Sequence, residues 1–458
     1  MQSPTARYGT VLGLLLVWSG FPWTGWRACA AVPVSRPARG SAPAEGQEPA
    51  AAKLQDLKVS PSLLKAPAGV AGDFTVAREA PAIEFGFLPG QWEGAKLWSA
   101  WGDAVFASDG KFYAAIGDHA DPGGHTYVYQ IDPGGKTIKL VVDVNKVLAV
   151  PEGKYTPGKI HAPVVEGGDG WLYFATYRGG VKSTTEEMGF TGDWLLRYEP
   201  ASGKTENLGI LVPNCSIPSM VCHAPSETLY GLAVPGKTLA DTDGRFFAYD
   251  IKARKLIFVG GPPSSLSRSV MLLGDGSVYY ESSGKLVRYD PKEKKVAVTE
   301  IPVPGNRELR ASSRAGADGV AYGISRDGLV FSFDPAKGKV AELQQTFVTG
   351  RLYTAVCRLD PTDKYLYYVP SAHGGSVQHG TAVVQMDVKT QKRKVLAFLN
   401  ETVRQQMDYN LGGTFSIALS KEGDRLFFVW NGGPPVAKKN DFGRCAAMIL
   451  HIPASERQ

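Results

Sequence analysis

The sequence predicts an all-β fold, a seven-bladed β-propeller, and three observations carry that prediction. A weak repeat of roughly 50 residues recurs seven times from about residue 97, which is blade spacing. Each copy pairs an aromatic second strand, entered from a turn that often contains Asp-Gly, with a third strand that tends to end in Tyr-Asp or Asp-Pro. Finally, Gly (53) and Pro (31) punctuate nearly everything else, and the best helix candidate, "NETVRQQMDYN" at 400–410, is short.

Taken in order, the chain opens with Arg7, the apolar stretch "VLGLLLVWSGF" and the small residues "ACAA" at 28–31, the order of a cleavable secretory signal over residues 1–30. Lipid attachment at Cys29 is disfavoured, because "WRAC" lacks the usual small and aliphatic neighbours. Residues 31–72, beginning "AVPVSRPARGSAPAEGQEPAAAK", are rich in Ala, Pro, Ser and Gly without an apolar period, and read as a tether disordered in its first half. Residues 73–458 form the propeller. Its second strands are "SDGKFYAAI", "GDGWLYFAT", "PSETLYGLA", "GDGSVYYES", "ADGVAYGIS", "TDKYLYYVP" and "EGDRLFFVW". The third strands are "TYVYQIDP", "WLLRYEP", "RFFAYD", "KLVRYDP", "LVFSFDP", "AVVQMDV" and "AAMILHIP".

A lone four-stranded sheet buries too little and exposes its edges, so the blades must close a ring. The seventh repeat ends at "ILHIPASERQ" without a fourth strand, and "DFTVAREAPAIEF" at 73–85 is a spare strand before the first. This N-terminal strand (about 73–85) is therefore expected to complete the last blade. No later segment is long and apolar enough to cross a bilayer, and the protein reads as secreted or periplasmic and monomeric.

Removing the signal lowers the formal charge from +6 to about +4, a mild basicity that suits acidic ligands but lacks the Lys/Arg stripe of a nucleic-acid binder. Export leaves Cys215, Cys222, Cys357 and Cys445 in an oxidising compartment. If Cys215 and Cys222 share one extended strand they lie roughly 23 Å apart, too far to bridge. Phosphate-loop, H-E-x-x-H, C-x-x-C and G-x-S-x-G signatures are absent.

Aligning the blades on their aromatic strands shows which residues ring one end of the central channel. At the position of His161, in "PGKIHAPVVEGGDGWLYFATYRGG", the other blades offer Trp101, Pro218, Arg268, Arg310, Tyr353 and Phe415. The loops between second and third strands add His119, His125, Tyr177, Arg178, Lys182, His373 and His379, so five of the seven histidines fall on one expected face. Each residue also has an ordinary reading. His161 would be a strand-end histidine bonded to a neighbouring carbonyl, the arginines would pair with adjacent blades, and the loop histidines and Tyr177–Arg178 would be solvated.

The stretches "YTPGKIHAPVVEGGDGWLYFATYRG", "GDWLLRYEPASGKTE", "RFFAYDIKARKL", "YLYYVPSAHGG" and "ILHIPASER" resemble a family of exported bacterial seven-bladed propeller proteins, from about residue 97 to the C-terminus. That resemblance implies the fold and export, and no particular reaction. More distantly, the layout is similar to propeller polysaccharide lyases such as the oligogalacturonate and ulvan lyases, an analogy of architecture. It implies β-elimination from an acidic polysaccharide or oligosaccharide. Arg268, Arg310 or a divalent metal would neutralise the uronate carboxylate, with Arg178 beside them. His161 would be the base and Tyr177 or Tyr353 the acid, while Trp101 and Phe415 would stack on sugar. Metal ligands would come from His119, His373 and His379, with His161 as a further donor. The competing expectation is a non-catalytic propeller binding a glycan or a protein on the same face. A metal-dependent lactonase would need a carboxylate-rich channel, which the rim lacks.

Overall fold

The computed structural model describes residues 51–91, 97–120, 122–237, 245–346, 353–435 and 442–458. The expected signal segment, residues 1–30, and residues 31–50 of the expected tether lie outside them. Seven antiparallel sheets form the ring, and every second and third strand read from the sequence takes its expected place. Blade two, for example, runs outward through Val165–Glu166, Leu172–Tyr177, Trp194–Tyr198 and Thr205–Ile210.

Hydrophobicity falls from the second strand outward because only the inner strands are covered on both faces. Leu172–Tyr177 is buried throughout, whereas the outermost strand of blade four, Lys295–Pro302, alternates between exposed and half-buried positions. Strand alternation sends consecutive residues to opposite neighbours. Phe112 and Ala114 pack toward blade seven with Phe427 and Ile449, and Tyr113 and Ala115 pack toward blade two with Leu172 and Phe174. Seven such clusters fill the seven interfaces. The ring is thus held by one continuous belt of apolar contacts.

The expected N-terminal closure is present, with its boundary shifted. Ala82–Phe87 pairs antiparallel with Arg444–His451 and supplies the fourth strand of blade seven. The earlier part of 73–85 goes elsewhere: Thr75–Val76 adds in parallel to Arg393–Phe398 of blade six. The tether also ends sooner than its composition suggests. Ala51–Lys53 forms a fifth strand on blade one and Gln55–Leu57 a fifth strand on blade seven, with Leu54 and Leu57 buried at the crossing. The short helix spans Asn400–Met407.

A buried ion pair clasps the same closure from inside. Asp103, two residues before the inner strand Val105–Phe106 of blade one, accepts from Arg358 of blade six and from the Ile417 amide of blade seven. Cys215 and Cys222 do lie in one strand, Cys215–His223, and Cys222, Cys357 and Cys445 carry free thiols. No helix among the described residues is long and apolar enough to cross a membrane.

Candidate functional site

The sequence alignment of the blades places its residues at one height of the channel, and the backbone there has a common feature. The ladders of the inner strands are interrupted at that level. Register shifts fall at Ser216/Ser219, Leu309/Ala311 and Thr414/Ser416, so Pro218, Arg310 and Phe415 each sit at a bulge. Blade two breaks between Lys159–Ile160 and Val165–Glu166, at His161. In blade four Ser267, directly before Arg268, is held at φ 55°, a left-handed conformation that costs a non-glycine residue on the order of 1 kcal/mol. Bulges of this kind re-aim side chains out of the sheet.

His161 is 4% exposed, and its Nδ1 lies 2.9 Å from the Pro218 carbonyl oxygen of blade three. A carbonyl only accepts, so Nδ1 carries the proton and Nε2 presents its lone pair. That Nε2 is buried without a hydrogen-bond partner. Burial, followed by the charges of Arg268, Lys159 and Arg310, holds the imidazole well below its ordinary pKa, so it is neutral near pH 7. The ordinary expectation of a strand-end bond to a carbonyl is met at Nδ1, and the other nitrogen is left for chemistry.

Arg268 is the more informative residue. Burial and the neighbouring Arg310 guanidinium push its pKa down from the usual arginine value, and the other groups acting on it are Tyr177, Tyr353 and Arg178. None of these is a carboxylate. Its Nη1 is buried and lacks a hydrogen-bond partner. Arg310 is held by neutral groups: its Nε donates to the Tyr353 hydroxyl and its Nη1 to the Ala355 carbonyl at 2.9 Å, with the guanidinium 4.9 Å from the Tyr353 ring. Among the described residues, the ion pairs with adjacent blades that would have made these two arginines structural are not formed. A buried cation without a counter-ion is costly, and two side by side more so.

Trp101 lies across this end of the channel. Its ring stands 4.6 Å from Phe415, 5.1 Å from His119, 5.4 Å from His373, 5.8 Å from Phe442 and 6.2 Å from His161, measured between centroids. It therefore touches side chains of blades one, two, six and seven. Below it is a cavity of about 940 Å³ whose lining includes Trp101, His161, Arg268, Arg310 and Phe415 at this end and Glu166, Cys222, Ala317 and Asp363 at the other.

Several expected roles change accordingly. Phe415 is 1% exposed, with Trp101 against its ring and the Arg310 guanidinium 5.4 Å from its centroid, so it braces Trp101 and Arg310 and offers no open face to a sugar. Tyr177 and Tyr353 do not line the cavity; Tyr177 packs 5.1 Å from the His161 ring, and Tyr353 holds Arg310. Arg178 spends Nη1 on the Pro235 carbonyl at 2.6 Å and lies 5.3 Å from the Tyr177 ring, bracing the loop.

The metal set is not assembled. His119 and His373 pack on Trp101, and His379 is buried at the end of the 3-10 helix Ser376–His379. Among the described residues no group of three or more His, Cys, Asp or Glu side chains comes together to hold a metal ion. His125 belongs to the loop framework through Asp118, 3.0 Å from its Nδ1.

One contributor escaped the sequence reading. Lys159 precedes His161 by two residues, the spacing that returns to the same strand face, and its Nζ lies 5.2 Å from the Trp101 ring and 5.3 Å from the Tyr177 ring. The loops bearing these groups interlock through glycines. A Cβ on Gly179 would meet the Ala120 carbonyl oxygen at 2.2 Å, and one on Gly158 would meet it at 2.7 Å.

No protein-family model matches the chain, and no curated protein matches it either. Among solved structures the chain is similar to U3-55K, at 10% identity and a TM-score of 0.49, over 80% of this chain and 98% of that one. It is likewise similar to a chain of the mitotic checkpoint complex, at 12% identity and a TM-score of 0.49, over 86% and 97%. Likeness at this level carries no argument about function.

Proposed function

We propose that the cationic end of the channel binds the carboxylate of an acidic sugar, and that His161 takes the proton from the carbon next to that carboxylate. The observation that carries the reading is Arg268, a half-buried side chain whose buried Nη1 is unpartnered and whose strongest neighbouring charge is Arg310, not a carboxylate. An incoming carboxylate supplies the missing counter-ion and a charge-assisted hydrogen bond. A cavity of about 940 Å³ suits a short oligosaccharide.

The chemistry follows from the two states of the site. Without a ligand, burial and the surrounding positive charges make His161 a weak base. A bound carboxylate cancels part of that charge, raising the basicity of Nε2 as it lowers the pKa of the C–H beside it. Nε2 takes the proton, the C–H pair forms the carbon–carbon double bond, and the bond to the leaving oxygen breaks. The same imidazolium then returns the proton to that oxygen, so no second acid is required and the two tyrosines keep their bracing roles.

A binding-only reading has one observation in its favour: neither tyrosine expected as the acid lines the cavity. The deciding experiment incubates the purified protein with uronate polysaccharides and trigalacturonate, and follows the ultraviolet absorbance of unsaturated products. Elimination predicts a rising signal abolished in His161→Gln, with trigalacturonate binding retained. A flat trace with measurable binding would leave recognition alone. No binding to any uronate would overturn the proposal.

A further inference from the structure

We infer that the anion-binding end of the channel is reached from the opposite face, the one bearing the turns between first and second strands, so that the protein takes the acidic end of a linear chain. The inference rests on the reading that Arg268 and Arg310 hold an acidic group; it adds the route and the part of the ligand recognised.

The cavity itself sets the direction. Its lining descends from Trp101, His161, Arg268 and Arg310 to Glu166, Cys222, Ala317 and Asp363, and includes neither Lys159, Tyr177 and Arg178 nor His119 and His373 on the loop face. Arg314 and Ala317 at the lower end are exposed. At the upper end Trp101 is packed against five rings from four blades, and the loops beside it are locked by the close approach of Gly158 and Gly179 to Ala120. Widening that end would require an aromatic cluster and a glycine-packed loop pair to move together. The lower end needs no rearrangement.

Charge has the same polarity. At the lower end Asp363 is paired with Arg314 at 2.5 Å, while Glu166 accepts only from the neutral Ser108 amide at 2.9 Å and hydroxyl, so this end carries the more negative charge. At mid-depth Asp103 is neutralised by Arg358. At the upper end Arg268 and Arg310 have no carboxylate partner among the described residues. The potential therefore rises inward, and a channel with low-dielectric walls focuses it on an incoming anion. Ser269 and Ser312, whose hydroxyl oxygens are 2.8 Å apart, lie in the wall with Ser313 and offer hydrogen bonds to a hydroxylated chain. From His161 to Glu166 the chain spans at most about 17 Å, the fully extended value at 3.3 Å per residue. A chain with one end at Arg268 would occupy that length, whereas the middle of a long polymer would have to thread past Trp101.

The test uses bulky groups attached after folding. In a Cys222→Ala background, Ala317→Cys at the lower rim and Pro122→Cys on the exposed loop of the upper face are each coupled to a polyethylene-glycol maleimide, and trigalacturonate binding is measured by calorimetry. The label at 317 is expected to weaken binding at least tenfold, and the label at 122 to change it less than about twofold. A trigalacturonate derivatised at both ends with bulky groups is expected to lose binding by a similar factor. Inhibition from position 122 alone, inhibition from neither position, or full binding of the doubly blocked chain would overturn the route. An unlabelled protein that fails to bind trigalacturonate would overturn the acidic-sugar reading itself, a separate and recognisable outcome.

Discussion

Replacing Arg268 by methionine should make the protein more stable and its anion binding weaker. The methionine keeps most of the length and apolar volume of the arginine stem while removing a half-buried charge whose Nη1 is buried without a partner and whose strongest charged neighbour is another guanidinium. Apolar replacement of buried ionic groups is neutral to stabilising by about 1–4 kcal/mol, and a half-buried one with no carboxylate partner among the described residues should gain at the lower end, about 1–2 kcal/mol. Residues 73–458 carry an unfolding entropy of roughly 0.8 kcal/mol/K at about 2.1 cal/mol/K per residue, so such a gain moves Tm by only about 1–2 °C. Equilibrium denaturant unfolding is the better assay, read as a raised midpoint at unchanged slope. Loss of a charge-assisted hydrogen bond worth about 1.5–3 kcal/mol should weaken uronate binding roughly 10- to 100-fold. A variant destabilised by about 1 kcal/mol or more would refute the reasoning, because it would show that Arg268 is held by partners of the fold and not kept for a ligand.

Three further outcomes follow from the same geometry. The folded-state pKa of His161 lies well below 6.5, so below about pH 6.5 the unfolded chain takes up a proton that the folded site refuses; stability falls as pH falls, by at most about 1.4 kcal/mol per pH unit, and His161→Gln should flatten that part of the profile in denaturant titrations from pH 7.5 to 5. Asp103→Asn takes the carboxylate from Arg358, whose guanidinium keeps the Cys357 carbonyl, and should cost about 1–3 kcal/mol in denaturant unfolding, while the freed cation in the cavity wall should tighten uronate binding in calorimetry below the unfolding range. Starting the chain at Val59 removes the two outer strands and exposes the sites of Leu54 and Leu57, a loss of about 3–6 kcal/mol at 1.5–3 kcal/mol per buried leucine, with the ring still closed by Ala82–Phe87 and the circular dichroism unchanged.

The repeat was legible because each blade must bury the same central strands between two neighbours, which forces an apolar, aromatic run such as Leu172–Tyr177 at every turn of the ring. The same periodicity made the height of the site legible, since His161, Arg268 and Arg310 occupy equivalent places in their blades. Depth and direction were not. Nothing in the local pattern around Trp101 says that its ring lies across the channel, or that Phe415 is thereby covered, because both depend on side chains from blades far apart in sequence. Lys159 could have been found, as strand alternation puts it beside His161. The histidines misled because a loop histidine reads the same whether it packs on an indole, as His119 and His373 do, or bonds a loop carboxylate, as His125 does. Residues 51–57 have the composition of a linker, and two three-residue strands are too short to carry a period.

The most direct test of the central claim is a crystal structure of the protein soaked with galacturonate. A carboxylate is expected within hydrogen-bond distance of Arg268 Nη1, with the sugar on the cavity side of Trp101 and its adjacent C–H turned to His161 Nε2. A sugar bound elsewhere, or Arg268 found paired with a carboxylate of the protein itself, would contradict it.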